Sequence, residues 1–514
     1  MLGVTALALD QGVDIVIILA GTRLSLWRQT YERLSEQLDG GPDSAQKAGS
    51  RILCPRPEVA LSEGSTSLQE TYRISSAQVR RKLNAKQPII VVAMKQTNHL
   101  HALGSSLRGS VFDEVRTLSR PVHMLVLDDE ADDGSVLDAA VEAGQDPIAG
   151  NLKQIPRAIA DLWDPRSTSA PSNLFASYVG YTATPQANLL QEDHNPLAPR
   201  DFVISLRTPL DVGCPIDLSN VDAPRSSSYP EPVGLDSFYT GGEVFYRRGA
   251  SADLCVELAG QDDDELAESV RAFLVAGAIR LHRATAGTMG PRSLSEVEFD
   301  SMEEALAAAP EPQSMLVHPS AEIEHHFKGA EDILLWAGAP DRATARLLLE
   351  TGDARLPTSL IEKMANEEPS WSAWADRYRH SLDQINTEFN VMNPRMVPDW
   401  GVIKQLLVSE IIPGTRVSVV NSNPAADDRP MYKPTFNETT GRWRAARDIS
   451  TVFVSGNVMS RGLTLEGMTT ALFQRGSSNP LADTQMQMQR WFGYRGTHIE
   501  LCRLFASGSS TRPL

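Results

Sequence analysis

The sequence predicts an α/β protein, with parallel sheets whose strands are joined by right-handed helical crossovers. Three observations predict it. Short apolar runs rich in Val, Ile and Leu lie at residues 15–19, 89–94 and 123–127, with a further strand run at 175–179; such runs mark strands buried on both faces. Between them apolar residues step by three and four, as Leu24, Trp27, Tyr31, Leu34 and Leu38 do, which is one stripe of an amphipathic helix. The alternation starts again at Met315, so two such units are expected in one chain.

Taken in order, residues 1–11 read as a helix that Gly12 is placed to end. The strand at 15–19 follows, then the helix of Leu24 to Leu38, then a polar loop at 40–50. A further helix carries Arg80, Arg81 and Lys82 ahead of the 89–94 strand, which Lys95 and Gln96 follow. The 175–179 strand ends in Gly180-Tyr181-Thr182-Ala183-Thr184-Pro185. Residues 201–265 are rich in Pro, Ser, Gly and Asp with weak periodicity, and read as a connector or small insertion. A long helix is expected at 264–283, strands at 315–318, 417–420, 451–455 and 470–473, and helices at 320–349, 371–389 and 482–492. Residues 507–514 read as a frayed tail. The expected division is a first α/β domain at 1–200, the connector at 201–265, and a second α/β domain at 266–514.

The bulk numbers set bounds. A chain of 514 residues suits about two to four domains. The formal charge of −17 argues against a surface coated in basic residues, although a local basic channel remains compatible with it. Cys54, Cys214, Cys255 and Cys502 are too far apart for a zinc knuckle or redox pair, which fits a reducing cytoplasm. No apolar run reaches about 18 residues, so a soluble protein with no membrane partner is expected. There is no His-Glu-x-x-His and no Gly-x-Ser-x-Gly, so zinc hydrolysis and the serine elbow have no support.

The chemistry concentrates where strands stop. The run His123 to Leu127 ends in Asp128-Asp129-Glu130-Ala131-Asp132, which is how a buried parallel strand delivers acids to the ligand edge of an open sheet. A carboxylate there can hold the magnesium of a nucleotide, and its neighbour can orient or deprotonate the attacking water. We assign Asp129 to the metal and Glu130 to the water. In the second half, Ser460-Arg461-Gly462-Leu463-Thr464 follows a strand, and Gln485, Gln487, Gln489, Arg490 and Arg495 lie on and after a helix. An arginine there can serve as a finger that stabilises charge on a transferring phosphoryl group. A cleft between the two units is the expected nucleotide site.

This order of motifs resembles the superfamily-two helicase and translocase series. The wording Tyr181-Thr182-Ala183-Thr184-Pro185-Gln186-Ala187-Asn188 and Gln487-Met488-Gln489-Arg490-Trp491-Phe492-Gly493-Tyr494-Arg495 is more specific and is similar to the Z-one domain family. That family occurs in bacterial defence and restriction-like systems and carries an endonuclease label. The resemblance implies two RecA-like domains, ATP and Mg2+ as cofactors, and DNA and defence-system proteins as partners. It implies that Asp132, Thr182, Thr184 and Gln487 couple nucleotide state to movement, and that Arg461, Gly462 and Thr464 line the nucleotide or strand path. Arg490 and Arg495 become finger candidates. Gly21, Thr22 and Arg23 sit where such proteins touch a nucleic-acid backbone, and Lys95 is a weaker candidate for that track.

One departure matters. A Gly-x-x-x-x-Gly-Lys-Ser/Thr phosphate loop should precede the 15–19 strand, yet no Gly-Lys dipeptide occurs. Met1 already falls inside the helix expected to follow that loop. The loop is therefore expected upstream of Met1 or lost, and the chain as written is expected to bind ATP poorly and not to hydrolyse it. For the endonuclease label, Pro398-Asp399 with Lys404 lacks the acidic residue such a nuclease site needs. Three functions follow: an ATP-driven DNA translocase or remodelling subunit, an endonuclease, or a non-catalytic nucleic-acid-binding scaffold.

Overall fold

The computed structural model describes residues 1–22, 24–39, 50–53, 57, 68–135, 154–165, 168–183, 185–189, 196–204, 239–245, 254–258, 262–285, 297–320, 322–388, 395–420, 430–446, 448–456, 465–474 and 490–506. The chain is mixed α/β and divides into two compact units, Met1–Val203 and Ile204–Leu514.

In the first unit, α1 (Leu2–Asp10) ends where Gly12 takes φ +83°, and the chain turns into β1 (Ile15–Leu19). Then come α2 (Leu24–Leu38), α3 (Ser76–Asn84), β2 (Ile89–Ala93), α4 (Thr97–Ser106), β3 (Val122–Asp128), α5 (Gln154–Ala160) and β4 (Leu174–Gly180). The sheet order is β2-β1-β3-β4 and every pairing is parallel. All five β1 side chains are fully buried, each contributing about 1.5–3 kcal/mol of transfer free energy. Trp27 of α2 packs on this core and donates from its indole N–H to the Val92 carbonyl at 2.9 Å. Leu19 pairs with Ala93 and with Asp128, and Asp128 pairs with Gly180. This register brings all four strand exits into one row, so the residues just beyond them share one edge.

The second unit holds a six-stranded parallel sheet. Its elements are β5 (Cys255–Glu257), α6 (Asp262–Thr285), β6 (Gln313–His318), α7 (Ile323–Trp336), α8 (Arg342–Glu350), α9 (Glu368–Glu388), β7 (Thr415–Val420), β8 (Ser450–Ser455), β9 (Met468–Phe473) and β10 (Arg503–Ala506). The order is β5-β10-β9-β6-β8-β7. A small antiparallel sheet of Glu298–Phe299, Arg442–Arg444 and Thr435–Asn437 is separate from it. The core gathers α6 and α9 over the sheet. Trp371, Trp374 and Tyr378 are buried, and the Tyr378 hydroxyl donates to the Ala272 carbonyl at 2.9 Å.

Several expectations need correction. The single helix expected at 320–349 is two, α7 and α8. Gly338 takes φ +106°, and the Asp341 carboxylate caps the new helix by accepting from Thr344 N–H at 2.8 Å. The expected connector contributes structure to the second unit. β5 lies within it, and Thr240 forms a two-way backbone bridge with Gly493 at 2.8 and 3.1 Å. β10 was not anticipated. The helix expected at 482–492 falls outside the described residues up to 489, and Arg490 and Trp491 form a turn.

Gly467 shows how tightly the amino edge of the second sheet is built. It has φ +59°, and a Cβ there would sit 1.7 Å from the Pro312 carbonyl oxygen. Gly467→Ala should therefore cost at least about 2 kcal/mol. Gly401→Ala, where a Cβ meets nothing within 4 Å, should be neutral or slightly stabilising. Urea unfolding of both variants checks the contrast; equal stabilities would refute it.

Candidate active site

The shared edge of the first sheet collects Gly21 and Thr22 after β1, Lys95 after β2, Asp129 and Glu130 after β3, and Tyr181 and Thr182 after β4. At its centre is a buried ion pair. Lys95 and Asp128 both have fully buried side chains, and Lys95 Nζ donates to Asp128 Oδ1 at 2.9 Å. The other Asp128 oxygen accepts from the Ser135 hydroxyl at 2.5 Å and the Tyr178 hydroxyl at 2.6 Å. Burial, followed by the Asp128 charge, pushes the Tyr178 phenol well above its ordinary range, so it stays a donor.

Lys95 does more than neutralise Asp128. Its other two hydrogens go to the carbonyls of Asp129 at 2.8 Å and Glu130 at 2.6 Å. Glu130 is one of only two non-glycine residues with positive φ among the described residues, at +51°. That conformation costs of order 1–2 kcal/mol for an L-residue. The ammonium thus holds a strained acidic turn in place from beneath. The sequence expectation that Lys95 touches a nucleic-acid backbone is corrected: the side chain is inaccessible and its three hydrogens are committed.

The turn is also tied to both flanking loops. Thr22 donates to Asp133 Oδ2 at 3.0 Å, Thr182 donates to Asp132 Oδ1 at 2.6 Å, and the Ala131 N–H reaches the Tyr181 carbonyl at 2.8 Å. Of the predicted coupling residues, Asp132 and Thr182 are therefore in direct contact. A Cβ on Gly180 would lie 3.0 Å from that of Ala131, so the small residue lets the turn close over β4. Gly21 has φ +66°, and its Cβ would meet Leu26 at 2.6 Å, which fixes the bend out of β1. Asp129 and Glu130 are half-buried. Burial raises the Asp129 carboxyl above its ordinary value, against the opposing pull of Lys95.

In the second unit, Arg490 is half-buried in its turn. Arg495 folds back on that turn, donating from Nε to the Trp491 carbonyl at 3.4 Å and from Nη2 to the Arg490 carbonyl at 3.3 Å. Burial pulls its guanidinium below its ordinary value. Trp491 packs edge-on against Phe473 and Phe492 and is core. Arg23, Thr184, Arg461, Gly462, Thr464 and Gln487 lie outside the described residues. The basic helix α3 is partly committed elsewhere: Arg80 forks onto Glu114 with two 2.8 Å bonds, and Lys82 is buried.

Sequence reasoning missed the roles of Asp128, Ser135, Tyr178 and Asp133. Asp128 carried a signal, since it is the last residue of an apolar strand. Lys95→Met should leave Asp128 buried without a counter-charge and cost about 3–5 kcal/mol, read by urea unfolding of the full chain. A loss under about 1 kcal/mol would contradict the pinning role.

The described residues contain no helix long and apolar enough to cross a membrane. Comparison with curated proteins and with solved structures gave no match. A family comparison did: it begins inside α6 and runs past β10, so it takes in five of the six strands of the second sheet. Over residues 265–512 the chain matches the family model described as Z1 domain.

Proposed function

We propose that the protein is a helicase-like ATPase of the superfamily-two type, with two RecA-like units, that couples ATP hydrolysis to tracking along or remodelling DNA. The observation that carries this reading is the acidic turn of Asp129 and Glu130. It sits at the carboxyl edge of a parallel sheet, where ligands of open α/β sheets bind, and it is pinned by a buried lysine.

The donor set fits magnesium. Mg2+ is typically bound through one or two carboxylates together with phosphate oxygens and water. Among the described residues no group of three or more His, Cys, Asp or Glu could form an all-protein cage. Asp129 is a half-buried carboxylate whose charged form is disfavoured by burial, so a cation beside it would be strongly stabilising. Asp129 would hold the ion, and the ion would supply charge neutralisation for the phosphates. Glu130 orients and deprotonates the attacking water. Asp132 with Thr182, and Asp133 with Thr22, link that turn to the neighbouring loops, a route by which nucleotide state can reach them.

Arg490 and Arg495 are the finger candidates; in this conformation Arg495 folds back on its own turn through Nε and Nη2. Gln487 and Thr184 are assigned to coupling, and Arg461, Gly462 and Thr464 to the nucleotide or strand path. Gly21, Thr22 and Arg23 are assigned to the DNA backbone, with contacts that ignore sequence. A cytoplasmic role beside defence-system proteins is assigned on the motif resemblance alone.

Because the sequence contains no Gly-Lys-Ser/Thr phosphate loop, the test is ATP turnover, with and without DNA, by this chain and by a version preceded by such a loop. Glu130→Gln should lower DNA-stimulated hydrolysis by about 10²-fold or more while ATP binding survives. Wild-type turnover in that variant would overturn the assignment. Wild-type protein that binds DNA but turns over no ATP would favour the scaffold reading. Plasmid cleavage by purified protein with magnesium would favour the endonuclease.

A further inference from the structure

The second sheet has an opposite, amino edge, which the proposed function does not use. There a cavity of about 380 Å³ opens between the last turns of α6, the first residues of β6 and β8, and His498 ahead of β10. Its size falls at the low end for small-molecule sites.

Buried polar atoms around this cavity lack partners. Arg283 donates from Nη1 to Glu500 at 2.5 Å and from Nε to the Met396 carbonyl at 3.1 Å, yet its buried Nη2 has no hydrogen-bond partner. Gln313 is 4% exposed and donates from Nε2 to the Phe273 carbonyl at 3.0 Å, while its Oε1 has none. Nε2 of buried His498 completes no hydrogen bond either, although the Met468 backbone lies near the ring. An unsatisfied buried polar group costs about 1–3 kcal/mol, so several around one space call for an occupant with complementary groups.

The charge around the cavity is positive. Arg280 and Arg283 line it, and Glu500, buried beneath, is shared between Arg283 and Arg395. Glu311, on Arg280, is an exposed rim residue. Burial first, then Arg280, Arg495 and Arg395, hold His498 well below its ordinary value, so a neutral imidazole sits in a cationic field. The floor is shaped as well: a Cβ on Gly277 would lie 2.2 Å from Gln313 Nε2. Only glycine lets the glutamine lie flat against α6 and leave the space open.

We propose that this cavity binds a small organic anion, with a carboxylate or phosphate-monoester oxygen on Arg283 Nη2, a hydrogen-bond donor on Gln313 Oε1, and an apolar body against Leu281, Ile411 and Ile449. All of its lining residues belong to the second unit.

The full chain is titrated calorimetrically at low salt with benzoate, phenyl phosphate and inorganic phosphate. One of the two aromatic anions should bind saturably at one site, more tightly than inorganic phosphate. Benzoate against phenyl phosphate decides which anionic head is taken. Arg283→Gln should weaken binding at least about tenfold, and Glu311→Gln, which removes a rim anion, should tighten it several-fold. Absence of saturable binding by either aromatic anion would overturn the proposal and leave the orphaned atoms to water. So would wild-type affinity in a folded Arg283→Gln variant. If that variant does not fold, unchanged affinity in Glu311→Gln overturns it.

Discussion

The buried pair of Lys95 and Asp128 is the constraint on which the first unit's edge depends. Burying two unit charges costs several kcal/mol per ion, and the mutual attraction repays this only when the remaining hydrogen-bonding capacity is filled. Here it is filled, by Ser135 and Tyr178 on the acid and by two carbonyls on the ammonium. Those two carbonyls belong to the residues that carry the proposed chemistry. The pair therefore converts the cost of desolvation into rigidity of the Asp129–Glu130 turn, including the left-handed Glu130 backbone.

β1 and β2 were legible because each is an unbroken apolar run, buried along its whole length as a central parallel strand requires, and β1 was placed to the residue. The acidic cluster was legible as a strand end. Which acid does what was not. β3 runs one residue further than its apolar run, and that residue alone turns Asp128 inward and leaves Asp129 half-buried. Lys95 read as a surface cation because nothing local reveals that its partner lies 33 residues away. β5 and β10 escaped notice since they are only three and four residues long. The Thr240–Gly493 bridge joins segments 253 residues apart and has no local signature. The break between α7 and α8 could have been read, from Gly338, Pro340 and Asp341.

The second unit shows how one sheet can present two chemically different edges. At the carboxyl edge, β8 is followed by Gly456, where a Cβ would fall 2.5 Å from His326 Nε2, so the backbone at that residue lies close against α7. At the amino edge, guanidinium groups converge on Glu500 and on a cavity. The turn that begins at Arg490 lies between these features in sequence. Its Trp491 packs on Phe473 of β9, and its Arg495 folds back on the turn.

The most direct measurement of the central claim is a double-mutant cycle in unfolding free energy over Lys95→Met and Asp128→Asn. If the two residues act as one neutralised, hydrogen-bonded unit, the combined variant should recover much of what the single changes lose, with a coupling of about 2 kcal/mol or more. Strictly additive losses would mean that the pair does not hold the turn.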